Sequence, residues 1–454
     1  MGAFHRRSPL PGRSPAAAAI LSVLLSAACS GAPDPATGPV EDACASTLVS
    51  APEHPVAPER LAARRGALAE LMGTGVAVIR STTTSDVSGT GARRSSDFVY
   101  LTGLALPGSW LVIVARDDAS PVSVLFVPTD SSRPARAAPV RAVTGISDVR
   151  CAASAPAEIA ARVRASTVAA PDGRLYVSTS MRGAPDSAVT AAVDTTGLPV
   201  APVGPLMATL RPSKDETELA RLRRAAAITA EGVVAAMEAV RPGMREDSLQ
   251  ALLERAFRAR GASGTSFPSI VASGANALEL HYSRNDSIME SGDLVLVDVG
   301  AEYAGYAGDV TRTFPVSGRF TDRQRALYDL VLETQRAAIE AVRPGVTIEE
   351  LNRIARETMA GASGDLCGAR GCEPHFIHGL SHHLGLDVHD PGRPGQPLAP
   401  GMVITIEPGV YLPEEGIGIR IEDDVLVTAE GHEVLTVAAP KSASEVEARI
   451  AAGR

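Results

Sequence analysis

Four acidic residues interrupt the stretches of this chain that should be driest, and they constrain the fold more than anything else in it. In "LVLVDVG" (294–300) the apolar alternation marks a buried strand, yet Asp298 sits at its end. Asp309 breaks "YAGDVTRTF", Glu407 breaks "VITIEPGVY", and Glu422 breaks "GIRIEDDV" in the same way. An unpaired carboxylate taken out of water costs several kcal/mol, so it neutralises or finds a cation. One such intrusion reads as a turn cap or surface acid. Four of them, each on a strand and close to a glycine or proline, point to one shared cation site.

The histidines narrow the chemistry. Four of the nine, His378, His382, His383 and His389, fall in "HGLSHHLGLDVHD". His378 and His382 have the four-residue spacing of a zincin helix, but Gly379 stands where that motif needs glutamate. Four carboxylates with one histidine suit two divalent ions, because the charges balance and an oxygen-rich set favours Mn, Co or Zn over soft-ligand metals. No G-x-S-x-G elbow occurs, so the sequence gives no support to a serine hydrolase.

At 454 residues the chain has room for two or three domains. Its net charge of −9, without a dense Lys/Arg stripe, argues against nucleic acid as a partner. Arg6, Arg7 and Arg13 precede the short apolar run "AAAAILSVLLSAAC" ending at Cys29, the order of a secretory signal. Its end is similar to a bacterial lipobox, although Leu25 lies one place further from the cysteine than the pattern prefers. Residues 1–29 are therefore expected to direct export. The protein is expected to be a membrane-anchored lipoprotein of the cell envelope, with a signal cleaved without lipid as the alternative. The Pro/Ala/Gly-rich segment 30–58 reads as a flexible tether. Four cysteines remain after Cys29, an even count suited to an oxidising compartment. Cys367 and Cys372 are the closer pair, and Cys44 with Cys151 is what remains.

"GVAVIRS", "WLVIVAR", "SVLFVPT" and "RLYVSTS" alternate with helical stretches, the rhythm of an α/β domain over 59–206. A long helix then opens near "SKDETELARL", with Ser213 as its expected N-cap and Glu216 three residues on. Over 207–445 helices flank antiparallel strands, an α+β pattern, and "SASEVEARIAAGR" reads as a surface helix.

Taken in order, "LVDVG", "GDVTRT", "GLSHHLGLDVHD", "TIEPG" and "IRIEDD" resemble the pita-bread metallopeptidases, in the branch of Xaa-Pro aminopeptidase and prolidase. "RRSSDFVYLTG" (93–103) resembles the creatinase-like first domain of that branch. The resemblance implies an α/β N-terminal creatinase-like domain followed by an α+β pita-bread catalytic domain. It implies Asp298, Asp309, His382, Glu407 and Glu422 as ligands of two divalent ions, Mn2+ first and Co2+ or Zn2+ as alternatives, with Asp309 and Glu422 shared. His281 and His389 match substrate-facing histidines, and His378 matches a further histidine of the pocket. Glu407 would also move a proton. His383 falls where the family commonly carries a bulky apolar or aromatic residue, so it reads as a packing or surface residue. Arg420 would orient an acid or the substrate, or serve as a structural ion pair. The implied reaction is hydrolysis of the bond between an N-terminal residue and proline, with an Xaa-Pro dipeptidase as alternative and a homo-oligomer allowed. Ser381 and the first-domain motif lean toward the aminopeptidase. A metal-free creatinase-like hydrolase or a peptide-binding lipoprotein would show gaps among the five ligand positions, and all five are filled.

Overall fold

The first domain's central strands have apolar residues at successive positions because both faces of the sheet are covered there. Ala77 and Ile79 join one core with Leu111, Ile113 and Leu125, while Val76 and Val78 join another with Val112, Val124 and Phe126. Successive side chains of a strand point to opposite faces, so two covered faces leave no polar register. The computed structural model describes residues 44, 47–50, 52–81, 84–85, 92–93, 95–117, 119–128, 137–169, 172–178 and 198–454. Among these, a six-stranded mixed sheet runs in the order Val200–Pro202, Arg174–Val177, Gly75–Arg80, Trp110–Arg116, Ala119–Val127, Asp148–Cys151. The helices Pro58–Met72 and Ser96–Thr102 close one face through Leu68, Met72, Phe98 and Leu101. Helix Ala155–Ala169 closes the other through Ile159 and Val163.

The expected signal, Cys29 and the first part of the expected tether lie outside the described residues. The rest of the tether is not free. Leu48–Ser50 pairs antiparallel with Ala137–Pro139, Cys44 is buried and disulfide-bonded to Cys151, and Arg221 donates to the carbonyls of His54 and Pro55. The Cys44–Cys151 cross-link is the pairing left over in the sequence, whereas the three-residue strand pairing gave no sign there because it has no long apolar run. The second disulfide joins Cys367 and Cys372.

The helix expected to be capped by Ser213 starts two residues later. Asp215 accepts from the Thr217 and Glu218 amides, and the Glu218 carboxylate accepts from the Asp215 amide. Both spacings fit a capping box. Asp215 prevails because Ser213 is held in a bridge to Met402 and because Arg64 pairs with both Asp215 and Glu218.

The catalytic domain is built from two helix-on-strand layers. Glu216–Ala239, Glu246–Ala259 and Ala443–Ala452 bury Val233, Leu253 and Ile450 against Val295, Val297 and Phe314. The last of these helices, read as a surface element, buries Ala443, Val446 and Ile450 and leaves its other side in solvent. Asp322–Glu340 and Ile348–Ala362 bury Leu327, Val331 and Leu351 against Ile404, Ile421 and Val425. The layers meet where the Glu422 amide donates to the Thr311 carbonyl and the Arg420 amide donates to the Thr313 hydroxyl. That seam is where the carboxylates collect.

Candidate active site

Each acid sits where a strand ends or pauses at the seam. Asp298 lies in Leu294–Val299, paired across the sheet with Ile270 on one side and Thr311 on the other. Asp309 immediately precedes Val310–Pro315, Glu407 follows Val403–Ile406, and Glu422 lies between Ile417–Arg420 and Asp423–Val427. A Cβ at Gly300 would stand 1.9 Å from the Gly308 carbonyl oxygen, so only glycine lets the chain beyond Asp298 close on the chain before Asp309.

All nine residues singled out in the sequence line one cavity of about 540 Å3: Asp298, Asp309, Glu407, Glu422, His281, His378, His382, His389 and Arg420. Donor atoms of Asp309, His382 and Glu422 lie within 4.8 Å of one another. His382 Nε2 stands 3.6 Å from Asp309 Oδ2 and 3.6 Å from Glu407 Oε1. His382 Nδ1 lies 3.1 Å from the His383 carbonyl, which can only accept, so Nδ1 carries the proton and Nε2 presents its lone pair to the acids. Burial lowers the His382 pKa to about 4, which keeps the ring neutral, as a metal ligand must be.

The electrostatics call for added positive charge. Burial first, then Glu422 and Asp298, push the Asp309 carboxyl well above the usual range. Burial and Glu422 do the same to Glu407, and burial with Asp298 pushes Glu422 up to about 8. Asp298 Oδ1 is buried with no hydrogen-bond partner among the described residues. A lone pair facing carboxylates, an unsatisfied carboxylate oxygen and mutual repulsion are what divalent cations would relieve, and the donor set of oxygens with one imidazole fits them.

Among the described residues that line the cavity, Arg420 is the one arginine. Its Nη2 holds Asp298 Oδ2 at 2.5 Å, Nε donates to Thr311 Oγ1, and Nη1 donates to the Tyr411 hydroxyl at 2.7 Å. The contact with Asp298 is compatible with both alternatives open in the sequence, an arginine that orients an acid and a structural ion pair. Tyr411, having accepted from Arg420, lies 2.9 Å from His378 Nε2, and His378 Nδ1 lies 2.8 Å from the Gly379 carbonyl. The chain of donors runs Arg420 to Tyr411 to His378 to Gly379. Burial, with Arg420 nearby, lowers His378 to about 4 and keeps it neutral.

His383 does not line the cavity. It is buried, and its ring lies where a Cβ on Gly392 would stand, 2.1 Å from Cδ2, which makes it a packing residue. Sequence reasoning missed Tyr411, Thr311 and Asp424. Thr311 donates to Glu422 Oε2 at 2.6 Å, and Asp424 Oδ2 accepts from the Asp309 amide. Asp424 beside Glu422 in "IEDD" was the visible signal; the threonine and tyrosine carry none, since both are ordinary strand residues.

Residues 220–429 match the profile of metallopeptidase family M24, and residues 61–136 match that of the aminopeptidase P N-terminal domain. An Xaa-Pro aminopeptidase of Escherichia coli is 46% identical over 272 residues, 55% of this chain and 62% of that protein's length. An Xaa-Pro dipeptidase of Pyrococcus furiosus is 41% identical over 231 residues, 50% of this chain and 64% of its own length. The fold is similar to that of zinc-substituted E. coli aminopeptidase P in complex with product, with a TM-score of 0.79 at 35% identity, over 88% of this chain and 99% of that one.

Proposed function

The chain belongs to metallopeptidase family M24, and we propose that it hydrolyses the peptide bond between an N-terminal residue and a proline in second position. The observation that carries this reading is the convergence of four carboxylates and four histidines on one cavity whose remaining wall includes Phe267, Ile270, Leu280 and Val388. An apolar wall beside a charged cluster suits a proline ring next to a polarised carbonyl. Similarity to the E. coli aminopeptidase over most of both chains supports the open-ended activity; the archaeal dipeptidase supports the alternative.

In this reading Asp298, Asp309, His382, Glu407 and Glu422 would hold two divalent ions, Mn2+ or else Co2+ or Zn2+, and Asp309 and Glu422 would serve both. Bound there, the ions would supply Lewis acidity and would lower the pKa of a bound water toward about 7. Glu407 would act as the proton carrier, accepting a proton on its carboxylate and delivering it to the leaving proline nitrogen. That nitrogen belongs to a tertiary amide without an N–H, so the protein must recognise the ring rather than a donor. His281 and His389 hydrogen-bond the substrate and meet the charge that develops on its carbonyl. Arg420 fixes Asp298 and reaches His378 through Tyr411, while burial and the nearby Arg420 charge keep His378 neutral, with its Nδ1 3.9 Å from Glu407 Oε2.

A peptide panel tests the specificity. With Mn2+ present, an Arg-Pro-Pro peptide should lose its first residue. EDTA should stop the reaction, and an acetylated N-terminus or alanine in place of proline should abolish it. Turnover confined to Xaa-Pro dipeptides would favour the dipeptidase, and turnover of the acetylated peptide would contradict both.

We propose further that residues 1–29 direct export, that Cys29 is lipidated, and that 59–206 and 207–445 form the two domains. Two disulfides support an oxidising compartment. No helix among the described residues is long and apolar enough to cross a membrane, so attachment in this reading depends on the lipid. Membrane fractions should retain the parent protein and lose Cys29→Ala; equal partitioning of the two would count against the lipid.

A further inference from the structure

His389 has no strand or helix of its own; it sits in the turn 385–390 and packs edge-on against the His382 ring, with centroids 4.4 Å apart. The acids on either side of it are both clamped by one residue. Arg211 Nη2 donates to Asp387 Oδ2 at 2.8 Å and to Asp390 Oδ1 at 2.5 Å. Its Nη1 donates at 2.8 Å to Asp97 Oδ1, in the first domain's helix Ser96–Thr102, and Ser96 Oγ donates to Asp387 Oδ1 at 2.6 Å. Arg211 directly follows the helix Gly204–Leu210, the last element before the catalytic domain's long helix. The first domain thus reaches the His389 turn through its own side chains and through Arg211.

The clamp is buried and specific. The Arg211 and Asp390 side chains are 4% and 1% exposed, and Lys214 adds a second cation 3.3 Å from Asp390 Oδ2. Burial acts to raise the Asp390 carboxyl, but Arg211 and Lys214 overcome it and hold it below the usual carboxylate range. A Cβ at Gly385 would stand 2.5 Å from Asp390 Oδ2, so the turn is shaped around this carboxylate. Its backbone is pinned as well, with the Asp387 amide donating to Asp390 Oδ1 and the Asp390 amide to the His383 carbonyl. Buried ion networks gain little stability over apolar packing, and fixing one geometry is their best-attested use. Between two pinned acids, the backbone of His389 has little freedom to move.

We infer that Arg211 is a positioning residue for His389, and that Asp97 and Ser96 make the first domain part of the support of the catalytic cavity. This rests on the reading of His389 as substrate-facing. Loosening the clamp should lower the rate through His389, because a displacement of about 1 Å in a reacting group can cost about 100-fold.

The test is a mutant cycle on the metal-loaded, full chain, reading kcat and KM on an Arg-Pro-Pro peptide together with metal content and urea midpoint. Arg211→Lys should lower kcat roughly tenfold with metal content unchanged, but by less than about twofold in a His389→Ala background, since residues acting as a unit are not additive. In a His281→Ala background the roughly tenfold loss should persist. Asp97→Asn, which leaves Asp387 and Asp390 intact, should follow the same pattern with a smaller loss and stands in if Arg211→Lys does not fold. Equal losses in all three backgrounds would mean general damage and overturn the inference, as would a fully active Arg211→Lys. Full activity of His389→Ala would instead remove the reading of His389 itself, and the inference with it.

Discussion

Asp309→Ala should lose at least about 1000-fold in kcat/KM and much of its bound metal, while its metal-free form becomes more stable than the metal-free parent. The first part follows from the position of Asp309, 3.6 Å from His382 Nε2 and among the donor atoms that converge with Glu422. Removing a shared ligand forfeits several kcal/mol of transition-state stabilisation, and about 1.4 kcal/mol is tenfold in rate. The second part follows from the pKa shifts. Burial and the neighbouring acids raise the Asp309 carboxyl, and burial with Asp298 raises Glu422 to about 8. A carboxyl whose folded pKa lies above its unfolded value near 4 binds more protons in the folded state between the two. Stability therefore falls as pH rises through that window. The metal-free parent should unfold at lower urea at pH 8 than at pH 6, and Asp309→Ala should show a shallower slope. Metal loading should remove the slope from the parent. Elemental analysis and urea midpoints at the two pH values check all three. Full activity with normal metal content in Asp309→Ala would sink the site assignment.

The acids were legible because each breaks an apolar strand pattern that has no other use for it, and the resemblance of five short motifs assigned them roles. The residues that hydrogen-bond to the acids and to His378 were not legible. Thr311 and Tyr411 are ordinary strand residues, and only the seam between the two layers brings one to Glu422 and the other between Arg420 and His378. Arg420 stayed ambiguous in the sequence because an arginine two residues before a glutamate on a strand fits an ion pair as well as a site; its contact with Asp298 crosses 122 positions. The first domain's strands were visible as apolar runs, whereas the anchoring of 44–58 depends on Cys151 and Ala137–Pro139, about a hundred residues away. The displaced helix cap shows the same limit. Ser213 and Asp215 offer equal local chemistry, and contacts with Met402 and Arg64 decide between them.

Arg312→Met should cost the fold about 3–5 kcal/mol, the range for breaking a buried ion pair from one side. Arg312 and Asp423 are both fully buried and 2.7 Å apart. The guanidinium also donates to the carbonyls of Thr311, Glu422, Ala439 and Pro440, so its removal takes a donor from each of these four acceptors, of which Thr311 keeps the Glu422 amide. Asp423 would keep Lys441, Gln335 and Thr436, which limits the loss to that range rather than more. Two of these carbonyls belong to Thr311 and Glu422, whose side chains hydrogen-bond at the candidate metal site. Weaker metal retention should therefore accompany the stability loss. The exposed pair of Arg325 and Asp329 provides the contrast: its side chains are 41% and 53% exposed, and Arg325→Met should change stability by no more than about 0.5 kcal/mol. Urea unfolding of both variants in the metal-free state separates the cases. If Arg312→Met unfolds within about 1 kcal/mol of the parent, the seam is held by packing rather than by this arginine.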